Sequence, residues 1–236
     1  MFTITTSLSL SEDCIENQTR ALRSWKDLGF KILSVNTSKE LSQTSKEYYE
    51  RLGVCFIIKE DGLKEGVKTF TRIDNLIQVA SQYSHIIFLI NADIELYDKE
   101  KVFNMIRKAE ESLCFVSRYN YDSDITDNKI EKFGLDVFVF NSKFTKHLPN
   151  SSFVIGKPLW DYWIPYHFAL NGVKICSIHD KIAFHKNHPK RWNLQDWLLM
   201  APNFRQYSSL RDLPNKMMSK EIRRIIIEKI EIVDTL

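Results

Sequence analysis

The feature that most constrains this chain is the run IIFLI, residues 86–90, which continues without a break into NADIELYDKE. Five consecutive apolar residues suit a strand and are far too short to span a membrane. Having no polar alternation, such a strand is covered on both faces. Upstream, Phe70, Ile73, Ile77 and Ala80 recur at steps of three and four, which predicts a helix over 67–83. Earlier, FTITTSL (2–8) alternates as a strand should. Ala21, Leu22, Trp25 and Leu28 then mark a helix that stops at Gly29, FKILSVN (30–36) is a second strand, 37–50 is a polar segment, and VCFII (54–58) is a third strand. Strand and helix therefore alternate over the first ninety residues. That is the pattern of an α/β fold with a Rossmann-like, mostly parallel central sheet flanked by helices.

The pattern changes after residue 96. A helix over about 98–110 leads to the strand LCFVS (113–117), and the polar stretch RYNYDSDITDNKIEK reads as a loop before the strand LDVFVF (135–140). VKICSI and KIAFH (173–185) are further short strands around a turn at His179-Asp180. In FVIGKPLWDYWIPYHFALNG (153–172), Pro158 is expected at the first helical position and Gly172 at the stop. Pro165 leaves the carbonyl of Asp161 without a donor, so the helix should bend or break near that acid. The tail RRIIIEKIEIV (223–233) is a basic amphipathic piece, read as a terminal helix packed on its own domain, with peripheral membrane contact as the other reading. With no linker or internal repeat, the expected organisation is one domain over 1–236: a nucleotide-binding-like front (1–96), a mixed, irregular back half (97–192) and a helical tail (193–236).

Composition removes several function classes. Lys plus Arg outnumber Asp plus Glu by only 33 to 30, and the charges are interspersed, so no basic face for nucleic acid is expected. The N-terminus, MFTITTSLSL, lacks the pattern of a secretion signal, and no transmembrane segment is expected. Cys14, Cys55, Cys114 and Cys176 are far apart and lie mostly in apolar runs, which suits reduced, buried thiols in a cytoplasmic setting. Only seven glycines occur and no Gly-rich phosphate loop, so any phosphate must be held by side chains or a metal.

Ligands of open α/β sheets bind beyond the carboxyl ends of the strands, where NADIE lies. If the strand runs on to residue 95, Asn91, Asp93 and Glu95 share one face at period two, an arrangement suited to a hard divalent cation; a solvated turn is the other reading. Asp122-Ser123-Asp124 competes for that role but has no apolar strand before it, and acidic pairs in such loops are mostly turn chemistry. Asp161, among Trp160, Tyr162 and Trp163, can have a raised pKa and take a proton from an acceptor hydroxyl, or it can cap locally beside core tryptophans. His185 ends a short strand and can complete a metal shell. His188 beside Pro189 reads as loop chemistry, and Lys186, Lys190 and Arg191 are cations available to phosphate.

In their order along the chain, TITTS, SVN, IIFLINADIEL, GKPLWDYW and IAFH resemble the segments of a GT-A fold nucleotide-sugar-dependent glycosyltransferase, over roughly residues 2–192. The resemblance implies that Thr6, Ser7 and Asn36 touch the nucleotide, that Arg72 and Asn75 line the donor pocket, and that IIFLINADIEL is the metal-binding D-x-D element with Asn91 in place of the first acid. It also implies Mn²⁺ or Mg²⁺ on Asp93, Glu95 and His185, and Asp161 as the base of an inverting transfer from a nucleoside-diphosphate sugar, UDP-linked, to a glycan or other hydroxyl acceptor. Two rivals stand beside it. A nucleotidyltransferase normally carries a Gly-rich basic loop after its first strand, which TTSLSLSED lacks, and a non-catalytic nucleotide-sugar or glycan-binding module is favoured by Asn91.

Overall fold

The computed structural model describes residues 2–41, 43–65, 68–189, 192–206 and 210–233. In chain order the elements are β1 (Thr3–Thr6), α1 (Glu12–Asp27), β2 (Lys31–Asn36), α2 (Gln43–Arg51), β3 (Val54–Ile58), β4 (Gly62–Glu65), β5 (Lys68–Thr71), α3 (Ile73–Tyr83), β6 (Ile86–Ile90), β7 (Ile94–Leu96), α4 (Lys99–Lys108), β8 (Leu113–Tyr121) and β9 (Asn128–Asn141). They continue with α5 (Trp160–Leu170), β10 (Ile175–Ile178), β11 (Ala183–Lys186), α6 (Leu194–Met200), α7 (Pro202–Arg205), α8 (Asn215–Ile227) and β12 (Ile230–Val233).

One sheet runs in the order β12-β10-β8-β9-β6-β1-β2-β3. β6, β1, β2 and β3 are mutually parallel, as are β8, β10 and β12, and β9 runs antiparallel between the two sets. Val137 of β9 therefore lies beside Ile90 at the carboxyl end of β6, and the first part of β9 runs on past that end. IIFLI is β6 and is buried at every residue, as its lack of alternation requires. Helices cover both faces: α3, α5 and α8 supply one core, with Ile73, Trp163 and Ile222, while α1 and α4 supply the other, with Trp25 and Met105. The fold is thus the expected mixed α/β arrangement.

Several local expectations are corrected. Residues 68–71 are not the start of a helix but strand β5, hairpinned with β4; KTFT alternates at period two and buries Thr69 and Thr71. Gly62 permits this, since a Cβ there would come within 2.6 Å of Thr69 and 2.8 Å of Thr37. The polar segment 37–50 contains most of α2, anchored by fully buried Tyr49, whose hydroxyl accepts from Gln18 Nε2 at 2.9 Å. RYNYDSDITDNKIEK is mainly strand, because Arg118, Tyr119, Asn120 and Tyr121 alternate along β8 with both tyrosines buried, and β9 already begins at Asn128. Helix α5 starts at Trp160 rather than Pro158, after Leu159 turns the chain at φ 79°, and it runs unbroken through Pro165 to Leu170. Gly172 takes the expected left-handed conformation, φ 69°.

The tail is helical only to Ile227, with Met218, Ile222 and Ile226 packed into the core; its last residues form β12, parallel to β10. Cys14, Cys114 and Cys176 are buried free thiols as expected, whereas Cys55, on the edge strand β3, is exposed. Among the described residues no helix is long and apolar enough to cross a membrane.

Candidate active site

Strand β6 ends at Ile90, and Asn91, Ala92 and Asp93 turn the chain before β7. The expectation of one continuous strand to Glu95 is therefore wrong, and with it the shared face of Asn91, Asp93 and Glu95. Because β7 pairs with β11 so that His185 stands opposite Ile94 and Phe184 opposite Glu95, Glu95 projects from the face opposite to His185. It is buried there, accepting from Tyr97 Oη at 2.6 Å, from Tyr121 Oη and from Arg20 Nε at 3.3 Å. The structure places Glu95 in this network, away from Asp93.

Asp93 instead meets two histidines. Its Oδ2 lies 3.0 Å from His188 Nε2 and 3.8 Å from His185 Nε2, and the two Nε2 atoms are 3.2 Å apart. His188 Nδ1 donates to the carbonyl of Pro189 at 2.9 Å, which orients the ring with Nε2 toward Asp93. His185 is buried, and its Nδ1 has no hydrogen-bond partner among the described residues. Burial alone would raise the pKa of Asp93, but the two imidazoles of His185 and His188 beside it outweigh that and hold the carboxyl well below the usual range.

One ligand atom from each of Asp93, His185 and His188 can lie within 4.8 Å of the others. Ligands bonded at about 2.1 Å to a first-row divalent cation sit roughly 3–3.5 Å apart, so this set fits such an ion. The H-x-x-H spacing from 185 to 188 was the sequence signal for His188, which reads on its own as loop chemistry.

Next to this cluster is a second set of charges. Asn91 Nδ2 donates to Asp136 Oδ1, Asn91 N donates to the Asp136 carbonyl at 2.9 Å, and Arg118 Nη1 donates to Asp136 Oδ2 at 2.5 Å. Arg118 reaches Asp136 because β8 is irregular on both sides of Ser117, which re-aims the following side chain. Gly134 makes room: a Cβ there would stand 2.8 Å from Arg118 Cγ and Nε. Asp161, in the first turn of α5, accepts from its own backbone N–H and from that of Tyr162. Burial, then the nearby charge of Asp136, push its pKa up to about 7. Arg118 is within electrostatic reach of both Asp93 and Asp161, which joins the two sets into one site. Neither Arg118 nor Asp136 stood out in the sequence, although an acid inside LDVFVF and an arginine in RYNY were signals available there.

At the ends of β1 and β2, Asn36 is fully buried and donates from Nδ2 to Ser7 Oγ at 3.2 Å and to the Leu8 carbonyl at 3.0 Å. It holds the Ser7–Leu8 turn and is too deep to touch a ligand directly. Thr6 is buried, its hydroxyl without a partner among the described residues, while Ser7 is half-buried. Arg72 precedes α3, pairs with Asp61 at 3.2 Å, and donates to the Ser151 carbonyl at 3.4 Å; Asn75 donates to the Asp61 carbonyl. Asp122 accepts from Asn187 and Asp124 from the backbone of Thr126, so this acidic pair is turn chemistry. Lys186 pairs with Glu16 at 2.7 Å, and Lys190 and Arg191 lie outside the described residues.

No protein-family description matches the sequence, and no curated protein matches it. Solved structures do. S. aureus TarS residues 1–349, in complex with UDP-GlcNAc, superposes with a TM-score of 0.56 at 11% identity, covering 95% of this chain and 71% of that one. The mannosyltransferase PcManGT from Pyrobaculum calidifontis, in complex with GDP-Man and Mn²⁺, superposes with a TM-score of 0.57 at 12% identity, covering 95% and 68%. At these identities the likeness carries the architecture alone, and that architecture is GT-A-like: the chain has the fold of nucleotide-sugar-bound glycosyltransferases.

Proposed function

We propose that the protein is a glycosyltransferase that moves a sugar from a nucleoside-diphosphate donor, UDP-linked, to a hydroxyl acceptor with inversion at the anomeric carbon. The observation that carries this reading is the convergence, at the carboxyl end of β6, of an Asp-His-His cluster with a carboxyl group whose pKa is about 7. The bound nucleotide and sugar of the two structural neighbours support the donor class.

In this mechanism the donor lies across the carboxyl ends of β1, β2 and β6, with Ser7 on the nucleotide side. Asp93, His185 and His188 would hold a divalent cation, and what it supplies when bound is neutralisation of the charge on the departing diphosphate. Asp161 takes the proton of the acceptor hydroxyl, whose oxygen attacks the anomeric carbon opposite the phosphate as the carbon–phosphate-oxygen bond breaks. A carboxyl poised near pH 7 suits that task, being ionised often enough to act and basic enough to pull. Arg118, one quarter exposed and facing Asp93 and Asp161, adds a fixed positive charge between the two ends of the site.

Two imidazoles in the donor set favour Mn²⁺ over Mg²⁺, which prefers all-oxygen shells. The first expected outcome is therefore a rise in melting temperature with Mn²⁺ plus UDP that exceeds the rise with Mg²⁺ plus UDP, and that is absent in Asp93→Asn. The second is release of UDP from one of a panel of UDP-sugars in the presence of an acceptor. No release from any UDP- or GDP-sugar, with a metal-dependent melting shift still present, would overturn the enzyme reading in favour of a binding module.

A further inference from the structure

The sequence carries an amide at residue 91 where the resemblance implies an acid, and the structure supplies a reason. Asp136 accepts from two side-chain donors at once, Asn91 Nδ2 on one oxygen and Arg118 Nη1 on the other, while the backbone of Asn91 donates to the Asp136 carbonyl. An aspartate at residue 91 would offer no donor and would set a third carboxylate beside Asp93 and Asp136. We propose that Asp136, clamped between Asn91 and Arg118, is a positioning residue that places a fixed negative charge beside Asp161, and that residue 91 is an amide because this clamp needs a donor. The inference rests on the reading of Asp161 as the base, though its test does not.

Both carboxyl oxygens of Asp136 are taken by donors, one of them a guanidinium, so the group is held in one orientation. The effect on Asp161 is opposed by Arg118, whose positive charge pulls the other way. The remaining groups around the site are Tyr162 next to Asp161, Arg223 of α8 and Glu131 of β9 acting on Tyr162, and Asp93 and Glu131 acting on Arg118. The clamp ties the turn that carries Asp93 to β8 and β9, and two residues beyond Asp136 the ring of Phe138 packs 5.5 Å from that of Trp160, the neighbour of Asp161 on α5.

The test is a titration of the Asp161 carboxyl by ¹³C NMR in the full chain, without metal, in wild type and three variants. Asp136→Asn is expected to lower the Asp161 midpoint by about one pH unit, a tenfold loss of proton affinity. Arg118→Gln is expected to raise it, and Gly134→Ala, whose methyl displaces Arg118, should move it in the same direction. Opposite signs cannot come from general loosening of the fold, which would carry all three variants toward the value of a free carboxyl. An unmoved midpoint in Asp136→Asn, or a fall in all three, would overturn the proposal. Transfer assays on Asp161→Asn report separately on the base: normal transfer there overturns the base and leaves the titration result standing.

Discussion

Asp161→Asn is expected to abolish transfer, by about 10²–10⁴-fold for loss of a general base, while raising the melting temperature above pH 7. Both effects have one origin. The carboxyl sits half-buried beside the negative charge of Asp136, and its pKa rises from 3.8 to about 7. A group that binds its proton more tightly in the folded than in the unfolded chain contributes stability that is fully present below pH 4, is lost as pH rises toward 7, and stays lost above it. The ionised form is thus the costly one. An asparagine imitates the protonated acid and has no charge to desolvate. The rise from 3.8 to about 7 corresponds to an upper bound of about 4 kcal/mol, and water reaching the half-buried group reduces this to about 2 kcal/mol.

Thermal unfolding of wild type and Asp161→Asn at pH 4 and pH 8 checks the prediction. The two curves should coincide at pH 4 and separate at pH 8, with the variant more stable, and donor-induced melting shifts should persist in the variant. Equal stability at pH 8 would mean that Asp161 is solvated and unstrained. A residue that costs stability at working pH and is still required for turnover is what a base kept at an uncomfortable position should look like.

The parts of the fold legible in the sequence were those set by periodicity. IIFLI announced a strand covered on both faces, and Trp25, Leu28 and Gly29 announced a helix and its stop, because core burial and backbone conformation act through the local pattern. The parts that escaped depend on contacts between distant segments. β5 and the ends of β8 and β9 are polar by composition, and their alternation is meaningful only beside a strand partner. At the site, Asp93 and His185 were placed by position at strand ends, which the fold preserves. Glu95 was misplaced by one assumption, that the strand ran straight through Asn91. Once the chain turned there, Glu95 faced Tyr97 and Tyr121 instead. Arg118 and Asp136 had no motif to mark them, since their partnership across β8 and β9 comes from a register shift that no single-strand pattern encodes.

The largest expected loss of stability comes from a pair at the entrance to α5. Lys157 Nζ lies 2.5 Å from Asp196 Oδ1, with both side chains below one-tenth exposed, and the ammonium sits 4.7 Å from the centre of the Phe70 ring. Asp196 also accepts from the backbone of Asn193 at 2.8 Å, closing the cap of α6. Lys157→Met leaves a buried carboxylate without its neutralising cation, and Asp196→Ala leaves the cation and opens the cap, so each should cost about 3–5 kcal/mol, roughly 10 °C in melting temperature for a chain of this size. The double variant Lys157→Met/Asp196→Leu removes both charges and should recover most of the loss, except the share due to the α6 cap. Catalysis should suffer as well. Gly156 and Leu159 take positive φ angles of 82° and 79° on either side of Lys157, and this turn delivers Asp161 into the first turn of α5. With the Lys157 tether cut, the turn is free to relax, and a misplacement of about 1 Å at the base is enough to lower transfer about 100-fold. Urea unfolding of the singles and the double decides the energetics: if the double variant is as unstable as the sum of the singles, the two charges do not interact and the tether is not what fixes Asp161.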